Sequence, residues 1–210
     1  MTGIVTPEPG DPAAFWDARF RENGFAYGEL PNDFLREQAA VLPLGRTLCL
    51  AEGEGRNAVH LAQLGHAVLA QDLSSVGLAK ARQLAASRGV VIETLCCDLE
   101  AFDPEPESAD LVVAIWMHLP PALRAETHRR AVAALRPGGH LILEAYTPRQ
   151  LLFGTGGPPS ETLLIEPAVL AQELAGLELP VLEERERWID EGPYHRGQSA
   201  VVRVLGRKPD

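Results

Sequence analysis

From Thr47 onward the chain alternates short apolar segments that end in glycine or aspartate with stretches of helical periodicity, and this alternation leaves few folds open. The apolar segments are Thr47–Ala51, Ala67–Gln71, Val90–Cys97, Ala109–Trp116 and His140–Tyr146. Helical periodicity occupies Arg56–Leu64, Ser74–Ser87 and Pro120–Leu135. Strands joined through such crossovers run parallel, and a parallel sheet needs helices on both faces.

The end of the chain breaks the pattern. After a helix at Pro167–Ala175 come two extended segments, Pro180–Ile189 and Gln198–Arg207, separated only by Asp190–Gly197. No crossover helix fits in that gap, so the two segments are expected to be antiparallel to each other. The expected fold class is therefore α/β: a Rossmann-like three-layer sandwich whose seven-stranded, mostly parallel sheet carries an antiparallel C-terminal hairpin. Five parallel strands followed by such a hairpin resemble class I methyltransferases more than a plain dinucleotide-binding domain.

Two helices are expected ahead of this core. An aspartate cap and a proline open Asp11–Asn23, where Phe15, Trp16 and Phe20 share one helical face, and Pro31 opens a second helix that ends near Leu42. At 210 residues and 46% hydrophobic the chain suits a single domain. Residues 1–45 are expected to form N-terminal lid helices and residues 46–210 the methyltransferase-like core. The net charge of -10 disfavours nucleic acid as a partner. Neither a leader-like start at Met1–Asp11 nor an apolar run of about 18 residues is present, so the expectation is a cytoplasmic protein without a membrane partner, monomeric or weakly dimeric. Cys49, Cys96 and Cys97 lie in apolar runs without metal-ligand spacing and read as reduced core residues, and no metal is expected.

The chemistry concentrates after the first strand. In Glu52-Gly53-Glu54-Gly55-Arg56-Asn57 two glycines let backbone amides approach a ligand just before a helix N-terminus, which favours anionic groups. Gly53, Gly55 and Ala58 also satisfy the G-x-G-x-x-A dinucleotide fingerprint, so a nicotinamide-dependent oxidoreductase stays open at this point. Asp72, ending the second strand, is placed to bind ribose hydroxyls, or else caps the next helix. Asp98 with the amide of Leu99, after the third strand, is placed to read adenine, or else forms a turn.

The string Gly53-Glu54-Gly55-Arg56-Asn57-Ala58, followed by Leu61-Ala62, Gly65-His66-Ala67-Val68, Asp72-Leu73-Ser74 and Arg136-Pro137-Gly138-Gly139, resembles the tellurite-resistance and thiopurine-type branch of the class I methyltransferases. The resemblance runs from about Phe15 over nearly the whole chain, and implies S-adenosylmethionine as cofactor and a small-molecule methyl acceptor. On it, the cofactor is expected at Tyr27, Glu52, Gly53, Gly55, Arg56, Asp72, Leu73, Asp98, Leu99 and Ile115. Trp16, Tyr27, Pro31, Asn32 and Phe34 resemble a lid over that cofactor, where aromatic faces suit a sulfonium cation. The sequence departs from the branch in its Glu-Gly-Glu-Gly turn and in His118-Leu119-Pro120 after the fourth strand.

Three places offer catalytic groups. His118 follows the fourth strand. Of Glu144 and Tyr146, ending the fifth, one is expected to face the cleft, and Tyr146 is favoured; Gln150 lies close behind. In the final hairpin loop His195 and Arg196 resemble a His-Arg pair of the same branch, suited to bind or orient an anionic acceptor. His60, His66, His128 and His140 carry no motif. The polar, glycine-rich stretch between Pro148 and Glu161 is expected to cover the substrate. A non-catalytic cofactor sensor on the same fold remains a competing function.

Overall fold

A computed structural model describes residues 11–210; most of the stretch Met1–Asp11 therefore lies outside the described residues. The strands are β1 (Arg46–Leu50), β2 (Ala67–Asp72), β3 (Glu93–Cys96), β4 (Ala109–Ile115), β5 (Leu135–Tyr146), β6 (Glu178–Asp190) and β7 (Arg196–Arg207). The helices are α1 (Pro12–Phe20), α2 (Asp33–Ala39), α3 (Arg56–Leu64), α4 (Ser75–Ser87), α5 (Pro121–Ala134) and α6 (Pro167–Glu173). Single 3-10 turns at Pro148–Leu152 and Glu161–Leu163 follow β5.

The seven strands form one sheet in the order β3-β2-β1-β4-β5-β7-β6. Neighbours from β3 through β5 pair in parallel, while β7 is antiparallel to both β5 and β6. Because β7 inserts between them, β6 runs in the same direction as the first five strands. The expected fold is thus the observed one, with β7 the single reversed strand.

Alternation along the strands builds two cores. One side of the sheet, with Cys49, Val113 and Ile142, packs against Leu35 of α2, Leu61 of α3 and Leu78 of α4. The other, with Leu48, Val112 and Leu143, packs against Ala131 of α5 and Leu170 of α6. Helix starts follow their local chemistry: Asp11 accepts from the Ala13 amide at 2.9 Å, Asn32 from Leu35, and Ser74 from Gly77. No helix among the described residues is long and apolar enough to cross a membrane.

Two expectations need correction. Only Cys49 is a core cysteine; Cys96 is exposed and Cys97 half-buried, because β3 is a short edge strand with one flank open. The second helix begins at Asp33, since the Asn32 side chain, rather than Pro31, closes its first turn.

Candidate active site

β1 and β4 lie side by side, yet the chain leaves β1 towards β2 and β4 towards β5, which opens a crevice at their carboxyl ends. Both exits are bent. After β1 the backbone turns at positive φ through Ala51 (49°), Gly53 (64°) and Gly55 (89°), and after β4 at Trp116 (59°). Positive φ at a non-glycine residue costs about 1 to 3 kcal/mol and gathers where function holds it in place. At this crevice a cavity of about 230 Å³ opens, closed from above by α1 with Phe15, Trp16 and Arg19.

On one wall stand Glu52, Gly53, Arg56, Asp72, Leu73, Leu99 and Ile115, all expected at the cofactor. Glu52 accepts the amides of Asn57 and Ala58 at 2.9 and 2.8 Å, so its buried carboxylate closes the N-terminus of α3. Asp72 accepts the Gly53 amide at 2.8 Å and the Ser74 amide at 2.7 Å, joining the two loops that follow β1 and β2. It is not the cap of α4, a place that Ser74 takes. Burial outweighs these donors: it pushes the Glu52 carboxyl up to about 7 and that of Asp72 up to about 6. A desolvated carboxylate at a cavity wall is an acceptor waiting for hydroxyl donors.

The opposite wall holds Tyr27, His118 and His195 with Trp116, Gly157 and Pro158. Tyr27 reaches this wall because its turn packs on the hairpin loop, where a Cβ at Gly192 would stand 2.6 Å from the Gly28 nitrogen. The His195 ring lies 4.6 Å from Tyr27 and 5.0 Å from Trp116, centroid to centroid. Burial pushes His195 down to about 3, and His118 down to about 4, so both imidazoles are neutral. His118 Nδ1 donates to the Leu163 carbonyl at 3.0 Å while its Nε2 receives the Tyr146 amide at 3.4 Å. His118 is therefore held on both sides, whereas the buried Nδ1 of His195 has no partner among the described residues.

Four expected site residues stand elsewhere. A Cβ on Gly55 would lie 2.5 Å from Ala81 Cβ, so Gly55 permits α3 to pack on α4, and it is not among the residues that line the cavity. Asp98 is exposed and accepts the Glu100 amide at 2.8 Å in a turn, and only Leu99 of that pair lines the cavity. Tyr146 is fully buried: Trp116 stacks on it at 4.4 Å, and Gly156 and Gly157 press on its far side. Glu144 and Tyr146, two residues apart on one strand, share a face instead of dividing between two. Arg196 is exposed and pairs with Asp190, because it begins β7 on the outer side of the hairpin.

The lid expectation divides as well. Trp16 and Tyr27 border the cavity, but Phe34 is a core residue and Asn32 is buried in a polar cluster. That cluster was illegible in the sequence. Glu191, from the hairpin loop, accepts Arg56 and the Trp116 indole at 2.6 Å, Arg187 at 2.8 Å and Asn32 at 3.0 Å. Glu144 accepts Asn32 at 2.7 Å, and Arg187 and Arg203 at 2.5 Å each. Burial alone would raise Glu191, yet Arg56 and Arg187 hold it down at about 2. The cluster fixes Trp116 and Arg56 from behind.

Comparison with known proteins agrees with this geometry. A family described as "Methyltransferase domain" matches residues 48–139, the stretch from β1 into β5. The rat "N-terminal Xaa-Pro-Lys N-methyltransferase 1" is 29% identical over 127 residues, which are 59% of this chain and 56% of the relative, so the match spans little more than half of that protein. Among solved structures, one from work on conversion of a disulfide bond into a thioacetal group during echinomycin biosynthesis superimposes with a TM-score of 0.74 at 20% identity, over 94% of this chain and 92% of the other. TehB from Haemophilus influenzae gives 0.70 at 16% identity, over 93% and 66%. The N-methyltransferase NodS from Bradyrhizobium japonicum, in complex with S-adenosyl-L-homocysteine, gives 0.69 at 15% identity, over 94% and 98%. These likenesses fall on several proteins at similar scores, so no single branch is singled out. Residues 48–139, under half of the chain, match the methyltransferase domain, and the neighbour that holds S-adenosyl-L-homocysteine, NodS, shares the fold.

Proposed function

We propose that the chain transfers the methyl group of S-adenosylmethionine to a small-molecule acceptor that needs no strong base, with a thiol or other soft nucleophile the best fit. The observation that carries this is the make-up of the cavity. Its carboxylates, Glu52, Glu54 and Asp72, all lie on the glycine-turn side, while the far wall offers aromatic rings, apolar side chains and two neutral histidines, with the Arg19 guanidinium against Tyr27 and Tyr194 and no carboxylate.

The residues present fit the cofactor. Asp72 stands ready for ribose hydroxyls, Leu73 and Leu99 flank a slot for a flat base, and the faces of Trp16, Tyr27 and Trp116 suit a sulfonium. When bound, S-adenosylmethionine supplies an electrophilic methyl group. That methyl would pass to the acceptor's lone pair as the carbon–sulfur pair returned to sulfur, with a thiol's proton released to water. The protein contributes placement and dryness: the walls hold the acceptor in line and α1 shields it. Neutral His195, at the far wall, accepts a hydrogen bond from an acceptor S–H or O–H and orients it. Of residues 1–45, the described α1 and the Tyr27 turn act in this scheme as the lid, with residues 46–210 as the core.

The echinomycin-related structure and the motif resemblance to the tellurite-resistance and thiopurine branch support a soft acceptor, whereas NodS and the rat relative support nitrogen. A panel of thiols, selenite, tellurite, amines and phenols, offered with labelled cofactor, decides. Turnover of thiols above amines is expected. No turnover of any, with S-adenosylhomocysteine still bound, would point to a sensor, and binding of NAD without S-adenosylhomocysteine would overturn the assignment.

Two measurements check the cofactor side. Asp72→Ala is expected to weaken S-adenosylhomocysteine binding by about 1 to 3 kcal/mol, the loss of charge-assisted bonds; parental affinity in calorimetry would return Asp72 to a purely structural role. The second is a pH dependence. Glu52 and Asp72 have folded-state values raised above their unfolded ones, so they stabilise the ligand-free protein at low pH, and this contribution is lost as pH rises through about 6 and 7. Ribose hydroxyls donate to the ionised carboxylate of Asp72. The melting temperature of the ligand-free protein is therefore expected to fall between pH 5 and 8, while the stabilisation added by S-adenosylhomocysteine grows. A ligand effect that shrinks over this window would contradict the placement.

A further inference from the structure

Two buried polar atoms behind the far wall have no partner among the described residues, and they belong to neighbouring rings. One is Nδ1 of His195 and the other is the hydroxyl oxygen of Tyr146. The two rings meet edge to face, with centroids 5.3 Å apart and planes at 90°. A Cβ on Gly156 would stand 2.5 Å from that hydroxyl and 3.1 Å from Cδ2 of His195, so both border one point, which a glycine leaves free. A polar atom kept from water without a partner is costly, and here two such atoms sit in adjoining side chains.

The His195 imidazole turns Cδ2, not Nδ1, towards that point. A half-turn about Cβ–Cγ exchanges these two atoms within a nearly unchanged ring outline and carries Nδ1 to the Tyr146 side. Nδ1–H then donates to the Tyr146 oxygen, and the Tyr146 hydroxyl donates to Ser199, which stands beside it but makes no hydrogen bond to it in the present ring position. Ser199 is free to accept, since its own proton goes to the Gly197 carbonyl at 3.2 Å and that of neighbouring Thr155 to the Gln198 carbonyl at 2.6 Å. Burial pushes the Tyr146 phenol up, so it keeps its proton for this chain. His118 already has such an arrangement, with Nδ1 held by the Leu163 carbonyl at 3.0 Å.

We propose that Tyr146 is a positioning residue for His195: its hydroxyl accepts Nδ1–H and so leaves Nε2, at the ring tip, bare to take the S–H or O–H of the methyl acceptor. The assignment rests on the methyl-transfer function proposed above. Without the hydroxyl the ring is free to carry its proton on Nε2, the tautomer that cannot accept there. Tyr146 itself stays behind Trp116, which stacks on it, and acts only through His195.

The test is Tyr146→Phe in the full chain, a change that keeps the ring under Trp116 and removes the hydroxyl alone. Nitrogen NMR of the ligand-free protein, with His195 assigned by its loss in His195→Asn, reads the tautomer directly. The proton is expected on Nδ1 in the parent and on Nε2 in Tyr146→Phe. With a thiol that the parent methylates, kcat is expected to fall at least about fivefold in the variant, while KM for the thiol and affinity for S-adenosylhomocysteine stay within about twofold. Cooperative melting confirms that the variant is folded. A proton on Nε2 of His195 in the parent overturns the pairing whatever the variant does, and so does an unchanged tautomer or an unchanged kcat in a folded Tyr146→Phe. A parent that shows the Nδ1–H tautomer but methylates nothing in the panel would strike the proposed function and leave the pairing standing.

Discussion

Glu191→Ala is expected to destabilise the protein by about 3 to 5 kcal/mol, because it removes one partner of a buried ion cluster and leaves the others uncompensated. Arg56, Arg187 and the Trp116 indole all donate to this carboxylate, which is 7% exposed. Glu144 can still hold Arg187, but nothing else among the described residues neutralises Arg56. For a domain of this size the melting temperature should fall by roughly 10 °C. Glu191→Gln keeps the shape and an acceptor oxygen while removing the charge, and should cost less. Trp116, held at positive φ with its indole pinned by Glu191, should become mobile, with a change in tryptophan fluorescence. The carboxyl lies at about 2, below its unfolded value, so its stabilising effect is present above about pH 4 and is lost as the pH falls towards 2. A Glu191→Ala protein as stable as the parent at pH 7 would show that Glu144 alone neutralises the cluster.

This cluster also marks where the sequence stops being legible. Strand and helix alternation, the hairpin and the glycine turn are local patterns with short periods, and each appears in the fold where the pattern put it. Asp72 and Tyr27 line the cavity because a strand end and a glycine turn fix them there. Glu191 and Trp116 have no such local mark, since their meaning comes from contacts across 75 residues of chain, and a glutamate in a hairpin loop looks solvated until β7 inserts beside β5. Tyr146 shows the same limit in reverse: its strand position was right, but Trp116 covers it. Motif likeness points to Arg196 and passes over Arg19, while the side chain that reaches the cavity belongs to the first helix. A signal for Arg19 did exist, since Phe15, Trp16, Arg19 and Phe20 fall at helical spacing on one face.

Gly55→Val is expected to abolish cofactor binding by unfolding the loop rather than by blocking the ligand. Gly55 begins α3 at φ 89°, in the left-handed region, and the substitution there costs about 1 to 3 kcal/mol for backbone strain alone. A Cβ at this position would stand 2.5 Å from Ala81 Cβ and 2.7 Å from Ala81 Cα. A backbone atom cannot swing aside as a side chain does, so α3 and α4 would have to separate, adding about 1 to 3 kcal/mol of overpacking before the branches of valine are counted. Together these make about 2 to 6 kcal/mol, and the glycine turn that Gly55 closes holds both Glu52 and Gly53 in place. Gly53→Ala provides the contrast. Its new methyl would meet the Phe20 ring edge at 3.0 Å, an apolar contact with a side chain of the lid helix rather than with backbone, so the strain of alanine at φ 64°, about 1 to 3 kcal/mol, is the main loss to the fold while α1 is displaced and affinity falls. Thermal melting and calorimetry on both variants separate the two effects. The expected pattern is a large loss of stability with binding in Gly55→Val, and a loss of binding with the smaller loss of stability in Gly53→Ala. A Gly55→Val protein that melts with the parent but no longer binds S-adenosylhomocysteine would place that glycine at the ligand after all, and the packing of α3 on α4 would not be its reason.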